Sequence, residues 1–175
     1  GLTPDEQLEL GIRITLSNKI RDYVKRQGKL KIAFVVPMTS IRKTFKAVFS
    51  ASKGTGLKSN MVMGPQDVLK EDYDIVFVDE SHRLARRKGI TSYGSFDEAC
   101  ARLGLDPMVS TQLDMIQKKS KYSVLVYDGC QTVKASDLTP EQFQHALDMR
   151  TRTVHRVTLQ TQMRCEGGQS YLDYL

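Results

Sequence analysis

Asp79-Glu80-Ser81-His82 sets two adjacent carboxylates, a small side chain and an imidazole directly after the apolar run Ile75-Val76-Phe77-Val78. Such a run suits a buried parallel strand, and the C-terminal ends of parallel strands are where α/β sheets bind ligands. Carboxylates are costly to withdraw from water unless a cation or a donor compensates them. A magnesium ion carrying a nucleotide would do so. In that chemistry Asp79 holds the metal through its water shell, and Glu80 orients or deprotonates the attacking water. The plainer alternative is that both acids cap the next turn and meet solvent or nearby arginines. His82 alone is a weak signal, because a single histidine is more often a surface or satisfied core residue, and no neighbouring ligands complete a metal site around it.

Asp128 and Gln131 close a second apolar run, Tyr122 to Tyr127, in the same way. In a parallel sheet they would lie beside Asp79 and Glu80 on one edge. A glutamine amide there can donate to a phosphate oxygen or position water. Asp128-Gly129 is equally a turn signal. Arg164 follows a further apolar stretch, where its fork of donors could meet charge developing on a γ-phosphate, although an isolated arginine is commonly only a surface charge.

The elements that must position these residues alternate. Thr3-Pro4-Asp5-Glu6 is a helix start, and Leu8, Ile12, Leu16, Ile20 and Tyr23 or Val24 continue at helical spacing to a stop at Gly28. Leu30 to Val36 reads as a buried strand. Thr39 and Ser40 can cap a helix over 41–50, with Arg42, Lys43 and Lys46 on its polar side. A short strand at Val62, a single helical turn at 66–69, the strand before Asp79, helices over 95–103 and 110–118, the strand 122–127, a helix to about Asp148 and a strand over 154–159 follow. The basic stretch Arg83 to Gly94 reads as too polar to pack. Strands alternating with helices predict an α/β fold, a three-layer sandwich around a mainly parallel sheet.

At 175 residues, 40% hydrophobic and 26% charged, the chain suits a single globular domain and no disordered class. It lacks the long apolar stretch a membrane span requires. Cys100, Cys130 and Cys165 are odd in number without metal-type spacing, so a reduced, cytoplasmic setting is expected. Positive charge is concentrated: from Ser17 to Lys58 there are eleven Lys or Arg residues against one acid, Asp22. That segment could face phosphates, or simply be a solvated basic surface.

In order along the chain, Val35-Val36-Pro37-Met38-Thr39-Ser40-Ile41-Arg42-Lys43-Thr44, Val76 to Leu84, Val126-Tyr127-Asp128-Gly129-Cys130-Gln131 and Leu159-Gln160-Thr161-Gln162-Met163-Arg164-Cys165 resemble the Schlafen group 3-like DNA/RNA helicase domain. This is a mostly bacterial P-loop family related to superfamily 1 helicases. The resemblance covers roughly Ser17 to the C-terminus. It implies a RecA-like P-loop NTPase core acting with ATP and Mg2+, with Asp79 on the metal and Glu80, Gln131 and Arg164 catalytic. It further implies that Asp79, His82, Asp128 and Gln162 meet nucleotide or phosphate, and that Thr39, Ser40, Arg42 and Lys43 grip a single strand of DNA or RNA. A second motor domain should follow in the intact protein.

One part is absent: no Gly-x-x-x-x-Gly-Lys-Ser/Thr occurs in the sequence. Gly54-Thr55-Gly56-Leu57-Lys58-Ser59 is similar only superficially, because Leu57 separates glycine from lysine. In the family the phosphate loop precedes the helix that ends near Gly28, so residues 1–28 stand in place of the phosphate-loop helix. The expectation is a single, incomplete motor domain over 1–175, excised from a larger protein, with little ATPase activity by itself. Two rival readings are a non-enzymatic nucleic-acid-binding or interaction module on a decayed ATPase core and, with less support, a nuclease using Asp79, Glu80 and Asp128 for metals.

Overall fold

The apolar runs form parallel strands whose ends are level. The computed structural model describes residues 17–26, 28–132, 134–148 and 153–158. Strands β1 (Ile32–Val35), β2 (Val62–Met63), β3 (Tyr73–Val78) and β4 (Ser120–Leu125) make one sheet in the order β2-β1-β3-β4. Every neighbouring pair is parallel, and Val35, Val78 and Leu125 stand in register. The chain therefore leaves β1, β3 and β4 at one edge.

Among the described residues five helices accompany the sheet: α1 (residues 17–26), α2 (Thr39–Ala51), α3 (Tyr93–Leu103), α4 (Gln112–Lys118) and α5 (Pro140–Asp148). Local chemistry sets their bounds. Ser92 accepts from the Ser95 N–H to start α3, and Gly104, at φ 62°, ends it in the left-handed conformation that glycine tolerates. Thr111 and Asp114 form a reciprocal capping box on α4, and Thr139 and Gln142 exchange side-chain and backbone hydrogen bonds at the start of α5.

Alternation along the strands divides the core in two. Ala33, Val35, Val76 and Val78 face one way and are buried with Leu113 and Ile116 of α4 and Ala146 of α5. On the other face Phe34 stacks on Phe77 at 4.8 Å and packs with Phe49 of α2 and Val62. Helices on both faces of a parallel sheet give the expected α/β sandwich of RecA-like form.

Several local expectations are corrected. Residues 153–158 are not a strand: Val154 and Val157 lie three apart, which would put them on opposite strand faces, and Val157 is 84% exposed. Thr39 and Ser40 do not cap α2; Met38 occupies the cap position and no side chain caps the helix. The strand expected over 122–127 runs from Ser120 to Leu125, because pairing with β3 begins at Tyr73–Ser120, and Tyr127 leaves the ladder to stack on Phe143 at 3.9 Å. The first part of the stretch after His82, 83–87, is not free of the body, while 88–94 is exposed apart from Ile90, as expected. Leu84 is fully buried, Ala85 and Arg86 bridge to Asp137 and Thr111, and Arg87 makes a two-pronged ion pair with Asp97. Its arginines find acceptors instead of solvent. No helix among the described residues is long and apolar enough to cross a membrane.

Candidate functional site

The level strand ends bring the two acidic segments together. Asp79 follows β3 directly, and its N–H continues the ladder to the Val35 carbonyl at 3.0 Å. Glu80 comes next with φ 50° and ψ 47°, the one non-glycine residue at positive φ among those described. A left-handed conformation at a residue with a side chain is strained, and it persists only where its surroundings fix it. Here they do. Ser81 donates to the Val126 carbonyl from both N–H and Oγ, and the Arg83 N–H returns to the Glu80 carbonyl at 2.8 Å. Both Asp79 and Glu80 are half-buried.

His82 lies beneath them with its side chain 1% exposed. Its Nδ1 accepts the Asp128 N–H at 3.4 Å, its carbonyl accepts the Leu138 N–H at 3.0 Å, and its ring meets Tyr127 edge-on. Its Nε2 is 3.2 Å from Glu80 Oε2. The geometry there is not that of a formed hydrogen bond, so Nε2 counts as a close but unbonded neighbour. Glu80 Oε2 instead accepts from Arg83 Nε at 3.2 Å. Above this layer Asp128 and Gln131 are exposed, and the Gln131 amide donates to Asp128 Oδ2 at 2.6 Å. Asp79, Glu80, Asp128 and Gln131 thus share one edge, as the strand pattern predicts. Ser81 and Arg83, which fix Glu80, were not singled out by sequence reasoning; Arg83 could have been found as the i+3 partner of a functional carboxylate.

Residues 13–175 match the family described as Schlafen group 3, DNA/RNA helicase domain. The chain belongs to this family. No curated protein and no solved structure matches it. The Schlafen group 3 assignment rests on a match spanning both strand-end segments and makes this a helicase-like domain.

In this Schlafen group 3 domain the C-terminal end of β1 adds a third segment to the same edge. Thr39 and Ser40 are exposed on the first turn of α2, where an uncapped helix leaves N–H groups unpaired and the helix dipole is positive, and Lys43 is exposed just after it. Arg42 has a different situation. Its Nε donates to the Val36 carbonyl at 3.0 Å and its Nη2 to the Pro37 carbonyl at 3.2 Å, so the guanidinium clamps the loop after β1. Gly64 leaves room for it, since a Cβ there would stand 2.9 Å from Arg42 Nη1.

The glycine-rich stretch at 54–59 follows helix α2 and leads to β2, the reverse of the strand-loop-helix order of a phosphate loop. Gln162 and Arg164 lie outside the described residues. Among the described residues no three His, Cys, Asp or Glu side chains gather as a metal cage.

Proposed function

We infer that this chain is the first motor domain, or most of it, of a superfamily 1-like nucleic-acid-dependent ATPase of P-loop type. The observation that supports this most is the gathering of Asp79, Glu80, Asp128, Gln131 and the open start of α2 on one edge of a parallel sheet. Asp79 would hold Mg2+, which usually takes one or two protein carboxylates and fills its other positions with phosphate oxygens and water. When bound, the ion neutralises charge on the β- and γ-phosphates. Glu80 would take the proton of the attacking water as the new O–P bond forms and ADP leaves. Gln131 would exchange its bond to Asp128 for the γ-phosphate, and Arg164 would stabilise the charge that develops there. Thr39, Ser40 and Lys43 would meet the backbone of a single strand, with a second motor domain C-terminal to this one completing the grip.

A second reading is favoured by one feature, the lack of a Gly-x-x-x-x-Gly-Lys-Ser/Thr loop in the sequence. Without that cradle the edge would serve a nucleic-acid-binding or interaction module and no hydrolysis. Steady-state ATP hydrolysis by the full-length natural protein, with and without single-stranded DNA or RNA, separates the two. Strand-stimulated turnover supports the motor, and its absence supports the module.

A further inference from the structure

Resting on the ATPase reading above, we propose that His82 is a positioning residue for Glu80, and that the Glu80 carboxylate has two seats. In the structure it occupies the first, where Oε2 accepts from Arg83 Nε at 3.2 Å. The second is His82 Nε2, already within 3.2 Å but out of line.

The protonation pattern of the imidazole carries the argument. Nδ1 accepts the Asp128 N–H, so the proton of the neutral ring sits on Nε2 and points outward from a fully buried side chain. A buried N–H without an acceptor is unfavourable, and a small turn of the Glu80 carboxylate would supply one. Nothing else described competes for that proton. The backbone cannot follow the carboxylate, because Glu80 is fixed in its left-handed conformation by the Ser81–Val126 bonds. The movement is therefore confined to the side chain.

The two seats differ in consequence. In the first, Glu80 Oε2 is held by the guanidinium at the end of the long, part-exposed Arg83 side chain. In the second, the neutral imidazole orients the carboxylate from below, leaving its other oxygen toward the edge. Because the same ring holds the Asp128 N–H, the seat Glu80 takes is linked to the turn carrying Gln131. Occupation of the γ-phosphate position by nucleotide would then be felt at Glu80 through Asp128 and His82. This assigns His82 a role beneath the nucleotide and not in contact with it.

Two measurements test the arrangement separately from the ATPase reading. In 1H–15N spectra of the imidazoles, Arg83→Ala should move the His82 Nε2–H resonance downfield as Glu80 swings onto it, and adding Glu80→Ala should abolish that movement. An unmoved resonance in Arg83→Ala overturns the proposal. In the full-length natural protein, His82→Leu should lower kcat about tenfold, the worth of roughly one hydrogen bond, with KM for ATP within about twofold. His82→Gln should regain most of the loss, since its amide can both donate to Glu80 and accept from Asp128. A raised KM at unchanged kcat would place His82 on the nucleotide and overturn the proposal. If the wild type does not hydrolyse ATP at all, the ATPase reading fails, and the imidazole resonance alone still decides whether the two seats exist.

Discussion

Ser81 is tied to Val126 twice, its N–H and its Oγ each donating to the same carbonyl at 2.8 Å. The bond pair fastens the turn after β3, which carries Glu80, to the end of β4, which leads to Asp128. Removing the hydroxyl leaves the N–H bond in place. Ser81→Ala should therefore cost about 1 kcal/mol and lower the melting temperature by roughly 3 °C, measured by thermal denaturation.

The Arg42 clamp and the bare Cα of Gly64 form one unit. Gly64→Ala pushes a methyl into the guanidinium and Arg42→Ala removes the clamp, each at about 1–2 kcal/mol in chemical denaturation. The losses should not add. In the double variant the added methyl meets no guanidinium, so its cost should fall well below the sum.

Lys43 and Arg42 should differ in nucleic-acid binding. Lys43 is exposed beside the open start of α2, so Lys43→Ala should reduce the slope of log affinity against log salt by about 0.7 on single strands, one phosphate contact. Arg42→Ala should leave that slope unchanged and act through stability. Equal slopes for wild type and Lys43→Ala would remove Lys43 from the interface.

At the opposite edge of the sheet Asp74 accepts from Lys121 Nζ at 2.8 Å, the Lys31 N–H at 2.9 Å and Tyr23 Oη at 2.7 Å, fastening α1 to the strands. Foremost among these donors, Lys121 holds the Asp74 carboxyl down to about 2 from an ordinary 3.8. A folded-state value below the unfolded one contributes stability above the unfolded value, and loses it as pH falls through the folded value. Asp74→Asn should thus destabilise by roughly 2 kcal/mol at neutral pH. The gap between wild type and variant should close between about pH 4 and pH 2, followed by urea denaturation at each pH.

Much of this was legible in the residues. The run 75–78 closed by Asp79-Glu80 gave the central strand, and its likeness to the run closed by Asp128 and Gln131 gave the shared edge, because period and terminal chemistry are local properties. Tertiary demands were not legible in the same way. The basic stretch after His82 looks solvated until Asp97, Asp137 and Thr111 are brought beside it from distant positions. Arg42 looks like a solvated helix-face charge until the Val36 and Pro37 carbonyls take its Nε and Nη2. Glu80's left-handed backbone has no glycine to announce it, since its cause lies in Val126, 46 residues away. Val154 to Leu159 shows the converse, an apolar stretch with no strand in its described part, 153–158.

Whether Glu80 accepts the proton of the attacking water is tested most directly by Glu80→Gln in the full-length natural protein. The substitution keeps size and one acceptor oxygen while removing the base. Strand-stimulated kcat should fall by roughly 100-fold or more, the range of general-base catalysis, with affinity for a fluorescent ATP analogue unchanged. Turnover by Glu80→Gln at the wild-type rate would contradict the account.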